Sequence, residues 1–527
     1  MRRLLLSALA TAIAPPVFAA VVHVPADEPT IQAGINAAVA GDTVLVACGT
    51  YDEYEIKMKS GVHLLGDGGP CPSDPCVTIE PQVSAAPGKD GIVCNGVDDT
   101  ATIQALRISG RLQPAGSVSS GIRCTDSDVA ILCCRVEYWK GSGIHLTDSS
   151  PLVKTTTCQG NGTNALQGGG LYSLNGSPKL QWFASVLDHA GDGGGVWSGG
   201  APAAILEFCL FMGSTASGEG GSVYCESGTS LFGCTFGLVF GAGAARGANV
   251  ACTGAVSIDS CRFVAGSAEH GGGIYVVGGS PSISRTTIEN TYASASGGGI
   301  YLKTGNATVA GCSILNNRAA GAGGGIYVES GSLTLSDCTL LENETSSGDG
   351  AGIAAEGGTL DLSDVLIARG DCSGTGSGAW LSNATASVLR CTITQNRAGG
   401  TGGLHAVGST LDVQESIVAE SCYGVPEVTS ESGAVVNLSC CDIDAGRVVT
   451  SSGTVNWVTG NFFAAPGFCG AVRCNDTNRV SDYSLASNSP CLPANNGCGV
   501  LIGARGQACS IVSIEQRSWG SIKAGYR

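Results

Sequence analysis

The sequence predicts an all-β chain wound as a right-handed parallel β-helix, and three observations carry that prediction. A unit of two or three glycines, then an aliphatic and an aromatic residue, recurs along the chain. Each copy holds short stretches that alternate apolar and polar, the period of a strand. Most copies lie about 24–27 residues apart, a solenoid spacing in which every coil must stack on its neighbours to bury its apolar face.

The repeat is read directly. Gly168-Gly169-Gly170-Leu171-Tyr172 returns as Gly193-Gly194-Gly195-Val196-Trp197 and Gly220-Gly221-Ser222-Val223-Tyr224. It returns again as Gly271-Gly272-Gly273-Ile274-Tyr275, Gly297-Gly298-Gly299-Ile300-Tyr301 and Gly323-Gly324-Gly325-Ile326-Tyr327. Weaker copies begin near Ile92, Ile122, Ile144, Val250, Ile353, Ala379 and Leu404. Within one copy, Ile326-Tyr327-Val328, Leu333-Thr334-Leu335 and Cys338-Thr339-Leu340 give three strands between Gly, Ser, Asp and Asn turns. About thirteen coils at ~4.8 Å each make a rod of roughly 60 Å.

Stacking aligns equivalent residues in columns. Cys209, Cys234, Cys261, Cys312, Cys338 and Cys391 form one inward column, and Cys94 over Cys124 and Cys225 over Cys252 a second. They read as small buried hydrophobes. Asn290, Asn317, Asn343 and Asn396 form a turn column suited to an amide ladder.

The ends fit the same plan. Residues 1–20 read as a secretory signal: Arg2 and Arg3, the apolar Leu4–Ala14, then Val17-Phe18-Ala19 as a cleavage pattern. Residues 21–425 form the β-helix, opened by an amphipathic capping helix over Thr30–Val39, with Asp42-Thr43-Val44-Leu45-Val46 as the first strand. Residues 426–527, where the repeat fades, form a C-terminal capping region and tail. The closing Trp519–Arg527 reads as a sorting tag or a frayed end.

Composition narrows the partners. The net charge of −16 argues against nucleic acid and anionic membrane, both of which need a basic surface. After the signal, no stretch approaches the roughly 20 apolar residues of a membrane-spanning helix. The 25 cysteines fit an oxidising destination: secreted, periplasmic or cell surface. Cys71/Cys76, Cys469/Cys474 and Cys491/Cys498 are near enough in sequence to close small loops, and the odd total leaves at least one thiol free.

Two stretches carry a resemblance. Val24-Pro25-Ala26-Asp27-Glu28-Pro29-Thr30-Ile31-Gln32, with Gly41–Val46 and Gly49-Thr50-Tyr51-Asp52-Glu53, resembles the opening of bacterial pectin-lyase-like β-helix proteins. The repeats, with Ile314-x-x-Asn317, Leu340-x-x-Asn343 and Ile393-x-x-Asn396, resemble those of polymorphic outer-membrane proteins. The resemblance spans roughly residues 22–425 and implies the fold, not an activity. The Gln-Asp-Thr-Leu and Asp-Phe-Ile-Phe-Gly signatures of pectin methylesterases are absent, as are Asn-Thr-Asp and Arg-Ile-Lys of polygalacturonases.

No standard catalytic, metal or cofactor motif is present, so no cofactor and no metal are expected. Two columns remain. Gln167, Asp192, Glu219, Arg246, His270, Ser296, Ala322 and Asp349 each precede the aliphatic by four residues. Asp192, Glu219 and Arg246 are thereby candidate catalytic residues, two carboxylates about one strand spacing apart with a cation beside them. A solvated turn explains the same residues. Tyr172, Trp197, Tyr224, Tyr275, Tyr301 and Tyr327 follow the aliphatic and turn outward, an exposed stripe for stacking on sugar rings or docking a protein. Tyr is also simply a good strand residue. The leading reading is a noncatalytic secreted or surface protein that binds glycan or a protein partner along the rod. A polysaccharide lyase or glycoside hydrolase is the alternative, and a structural envelope component the third.

Overall fold

The computed structural model describes residues 19–82, 88–114, 116–226, 228–237, 243–470, 474 and 482–510. The signal sequence and Trp519–Arg527 therefore lie outside the described residues, apart from Ala19 and Ala20. The rest winds as a parallel β-helix. One coil shows the plan: Ile326–Val328, Ser332–Ser336, Thr339–Leu341 and the short Glu344–Thr345 each pair in parallel with the same strand of the next coil. We number the sheets these strands belong to I to IV in that order.

Among the described residues sheet I has 16 strands, sheet II 18 and sheet III 15. The stack thus holds about 18 rungs, not thirteen, and is roughly 80 Å long at one strand spacing per rung. The extra rungs lack the glycine signature. The first strand is β1 (Val21–Val24), which pairs with β2 (Thr43–Val46), the strand expected to come first. Between them lies α1 (Ile31–Ala37), capped by the Thr30 side chain, with Ile31 and Ile35 buried in the main core. The helix is one segment of the first coil. At the other end, Val428–Glu431, Val435–Ser439, Val448–Ser451 and Thr454–Thr459 continue sheets I and II past residue 425.

The repeat needs its glycines for space. A Cβ on Gly273, Gly299 or Gly325 would stand 2.6–2.7 Å from the carbonyl oxygen of the next coil, inside contact distance. Gly297 and Gly323 have φ of +71° and +69°, where a side chain is strained. Ile274, Ile300 and Ile326 consequently lie in direct register.

The core is one continuous column of Ile, Val, Leu, Phe and Cys side chains. Both cysteine columns point inward, and their ten cysteines and five others remain thiols, every one buried. Burial pushes the Cys252 and Cys391 thiols up to about 12, far from reactive thiolate. The other ten cysteines form five disulfides, none at the short loops expected from spacing. Cys48 pairs with Cys76, Cys71 with Cys133, Cys422 with Cys474, Cys440 with Cys498 and Cys469 with Cys509. Bonds between coils are invisible to short-range spacing.

The amide ladder exists with one change. Asn343 Oδ1 accepts the Asn317 N–H at 3.0 Å, and Asn317 Oδ1 accepts that of Thr291 at 3.0 Å. Thr291, not Asn290, holds that rung; Asn290 is exposed at the neighbouring corner. Asp188 occupies another rung, accepting the Asn161 N–H at 2.8 Å and the Ser185 hydroxyl at 2.7 Å.

The C-terminal segment lies along the outer face of sheet III. Tyr483 and Ala504 cover Leu366 and Ala368, while Leu485 and Ile502 pack on Ile417 and Ala419. The Ala504 N–H donates to Thr392 Oγ1 at 2.9 Å.

Two outcomes test this interior. Burial pushes Asp188 up to about 7 from an ordinary 3.8. Between those values the folded chain binds more protons than the unfolded one, so Asp188's contribution makes stability fall as pH rises through that window and level off above it. Asp188→Asn therefore melts higher than the parent at alkaline pH by circular dichroism, and the gap closes as pH falls towards the ordinary carboxylate range. Thiol titration gives no reaction in the native protein and fifteen thiols per chain after denaturation without reductant.

Candidate functional site

Sheet I turns one residue per coil outward, and strand register sets these residues in a single row. The row runs Arg123, His145, Tyr172, Trp197 and Tyr224, each directly opposite the next. After Ala251 it continues as Tyr275, Tyr301, Tyr327 and Ala354. Trp380 and His405 follow. The six aromatic residues expected from the repeat are thus brought together. Arg123, His145, Trp380 and His405 extend the row, and the same position in the weaker repeats points to them.

Exposure differs from expectation. Trp197, Tyr275, Tyr301 and Tyr327 are buried; Tyr172 and Tyr224 are partly so. The reason is the strand spacing itself. Rings one rung apart cover each other's faces, with centroids 4.5 Å apart for His145 and Tyr172 and 4.9 Å for Tyr172 and Trp197. Tyr301 and Tyr327 are likewise 4.9 Å apart. Where Ala251 interrupts the row, the Arg246 guanidinium lies over the Tyr275 ring at 5.9 Å.

On one flank of the row runs the polar column read from sequence. Bridges join Gln167 to Asp192, Glu219 to Arg246 and Arg246 to His270. At the expected pair both carboxylates are engaged by neighbouring groups. Asp192 Oδ1 accepts the Glu219 N–H at 2.8 Å, and Glu219 pairs with Arg246 at 3.3 Å. Asp90 and Asp349 hold the next coil's backbone in the same way, through the Ser120 and Thr375 N–H groups at 2.6 and 2.7 Å. The aspartates thus hold backbone, whereas Glu219 holds the Arg246 guanidinium. On the other flank, Glu329 accepts the Tyr301 hydroxyl at 2.8 Å. Burial, followed by this hydrogen bond, raises the Tyr301 phenol well above its usual range.

The row opens at its N-terminal end into a notch of about 300 Å³. It lies where a long coil, residues 92–121, is followed by a short one, residues 122–143. Arg123, His145 and Tyr172 form its floor, Ser120, Ser142 and Gln167 one wall, and Val118 and Leu166 its lips. Leu166 is 85% exposed. Arg123 is fixed by Asp90 through Nε at 2.6 Å and Nη2 at 3.2 Å. Burial, and then the Arg123 charge, lowers His145 to about 4, so its ring is neutral at physiological pH. Among the described residues no three His, Cys, Asp or Glu side chains are grouped to hold a metal ion.

Residues 246–463 match the family described as "Right handed beta helix region". The solenoid is right-handed. The matched stretch is less than half the chain, and no curated protein matches the solenoid in sequence. Among solved structures, bacteriophage CBA120 tailspike protein 3 is 12% identical with a TM-score of 0.34, over 82% of this chain and 61% of the tailspike chain. The solenoid chain thus spans under two thirds of that protein. The Azotobacter vinelandii mannuronan C-5 epimerase AlgE6 A-module is 12% identical with a TM-score of 0.29, over 81% of this chain and 95% of the module. The AlgE4 A-module from the same organism is 10% identical with a TM-score of 0.19, over 82% and 95%. At such scores these likenesses decide nothing about chemistry.

The half-buried ring of His145 gives a direct check on the notch. Its imidazole titrates by NMR with a midpoint near 4, more than two units below an exposed histidine in the same spectrum.

Proposed function

We propose that the protein is exported and binds a neutral glycan on the outer face of sheet I, without transforming it, with the notch as its docking point. The observation that carries this reading is the composition of the notch floor and walls. Two stacked rings, His145 and Tyr172, offer an apolar edge, while Ser120, Ser142 and Gln167 line the same notch with hydroxyl and amide groups. An apolar platform with a few convergent polar groups is the usual make-up of a small-ligand site. Neutral sugars suit it better than acidic ones. Arg123 is already paired with Asp90, and the chain as a whole carries −16.

A cleaving activity through Asp192, Glu219 and Arg246 has less support, because Asp192 is engaged by backbone and Glu219 by Arg246. Export rests on the N-terminal signal and on five disulfides, which persist in oxidising compartments.

Glycan-array binding followed by calorimetry with the best oligosaccharide tests this. Tyr172→Ala weakens binding by about tenfold or more, while Tyr327→Phe, far along the row, leaves it unchanged. Absence of any glycan ligand would return the protein to a structural role. Release of new sugar ends, lost in Glu219→Ala, would make it an enzyme.

A further inference from the structure

Sheet IV turns a row of its own outward, and its chemistry differs from that of sheet I. Register sets Tyr292, Arg318, Glu344, Asp371 and Arg397 opposite one another in consecutive coils. Tyr423, in the coil that follows, has the Arg397 guanidinium over its ring at 5.2 Å. The charges thus run plus, minus, minus, plus, with an exposed tyrosine at either end: Tyr292 is 39% exposed and Tyr423 64%. A groove of about 420 Å³ lies along the four charged residues. The rest of its lining is Ser, Thr, Cys, Ala and Gly, all small.

Two features set this row apart from the other ion pairs of the rod. Glu344 and Asp371 are register partners one strand spacing apart, and like charges directly opposite destabilise a sheet. Earlier coils fill the same column with Thr215, Gly243 and Ser267, so the fold does not need the charges. The arginines offset the repulsion only in part. Arg318 stands 3.5 Å from Glu344 and Arg397 3.4 Å from Asp371. Elsewhere Arg262 meets Glu289 at 2.6 Å and Arg390 meets Asp364 at 2.9 Å. The pairs in the groove are longer than a charge-assisted hydrogen bond, which leaves both signs of charge with bonding capacity to spare. Their heads are nonetheless held in place. The Ser346 hydroxyl accepts from Arg318 Nε and Nη2 at 3.1 and 2.9 Å, and the Tyr423 ring supports Arg397.

We propose that the sheet IV groove is a second carbohydrate site, independent of the notch, which takes a neutral, linear oligosaccharide laid along the rod axis. The order of charges selects that class. A polyanion, nucleic acid included, meets Glu344 and Asp371 at the centre, and a polycation meets Arg318 and Arg397 at the ends. A peptide strand finds no open backbone edge, because the strands of Glu344 and Asp371 are each paired on both sides. An apolar anchor finds no large apolar side chain in the lining. Sugar hydroxyls both donate and accept, so one chain satisfies guanidinium and carboxylate in turn. The two tyrosines add ring faces at its ends.

Isothermal titration calorimetry on the mature full-length protein tests this, with cellohexaose, xylohexaose, mannohexaose and laminarihexaose as probes. Tyr172→Ala serves as the background, since it disables the notch and leaves the groove. The expected result is that this variant still binds at least one neutral hexaose, and that adding Glu344→Gln/Asp371→Asn weakens binding by about tenfold or more. Those substitutions keep side-chain shape and remove a like-charge contact, so the variant retains the parent's circular dichroism spectrum. Should it fail to fold, Ser373→Trp obstructs the groove from an exposed position and gives the same readout. Loss of all binding in Tyr172→Ala overturns the groove while upholding the notch, and a parent that binds no probe overturns both. Binding that survives in the folded groove variants overturns the proposal, as does tighter binding of hexagalacturonate or a glucosamine hexamer than of every neutral probe. Parent binding that Tyr172→Ala leaves intact and the groove variants weaken upholds the groove and strikes the notch.

Discussion

Everything in this molecule depends on one close approach: the backbone of each coil hydrogen-bonded to the next at a place where no Cβ fits. Gly273 N–H donates to the Gly299 carbonyl at 3.0 Å, and Gly299 N–H to that of Gly325 at the same distance. Because the approach fixes the rise and the phase of every coil together, it also sets each column of side chains. The inward thiols, the amide ladder and the aromatic row are consequences of a single register rather than separate designs.

That dependence explains what could be read from the residues. Gly297-Gly298-Gly299-Ile300-Tyr301 names its own place in a coil, so the fold class and the in-register Ile274, Ile300 and Ile326 follow directly. Rungs without the signature do not announce themselves. His63–Gly66 pairs with Thr43–Val46 and Thr454–Thr459 with Val435–Ser439 through ordinary strand hydrogen bonds, with no glycine run to mark them. Alternation distinguishes inside from outside, yet it is silent about cover. Tyr301 does turn away from the core, and is nonetheless buried because Tyr275 and Tyr327 stand one strand spacing to either side.

The candidate sites show the same division. Tyr172 was marked by the repeat; the notch in front of it arises from unequal coil lengths and an overhanging Leu166, features of neighbouring coils. The repeat sets Asp192 and Glu219 in consecutive coils, but the Glu219 N–H that occupies Asp192 belongs to backbone geometry that composition does not report. Arg318, Glu344, Asp371 and Arg397 share a column, yet the residue changes from coil to coil and no periodic pattern points there.

The distribution of disulfides has a mechanical meaning. A stack whose layers touch only their immediate neighbours loses order from its open termini, where an outermost layer has contacts on one side alone. Two cross-links tie the region before Cys133 and three tie the region from Cys422 onward, while the long interval between them has none. Covalent clamps thus stand at the margins from which unzipping would begin. The middle is left to hold itself by adhesion between layers, and reducing agents would attack the rod from its ends.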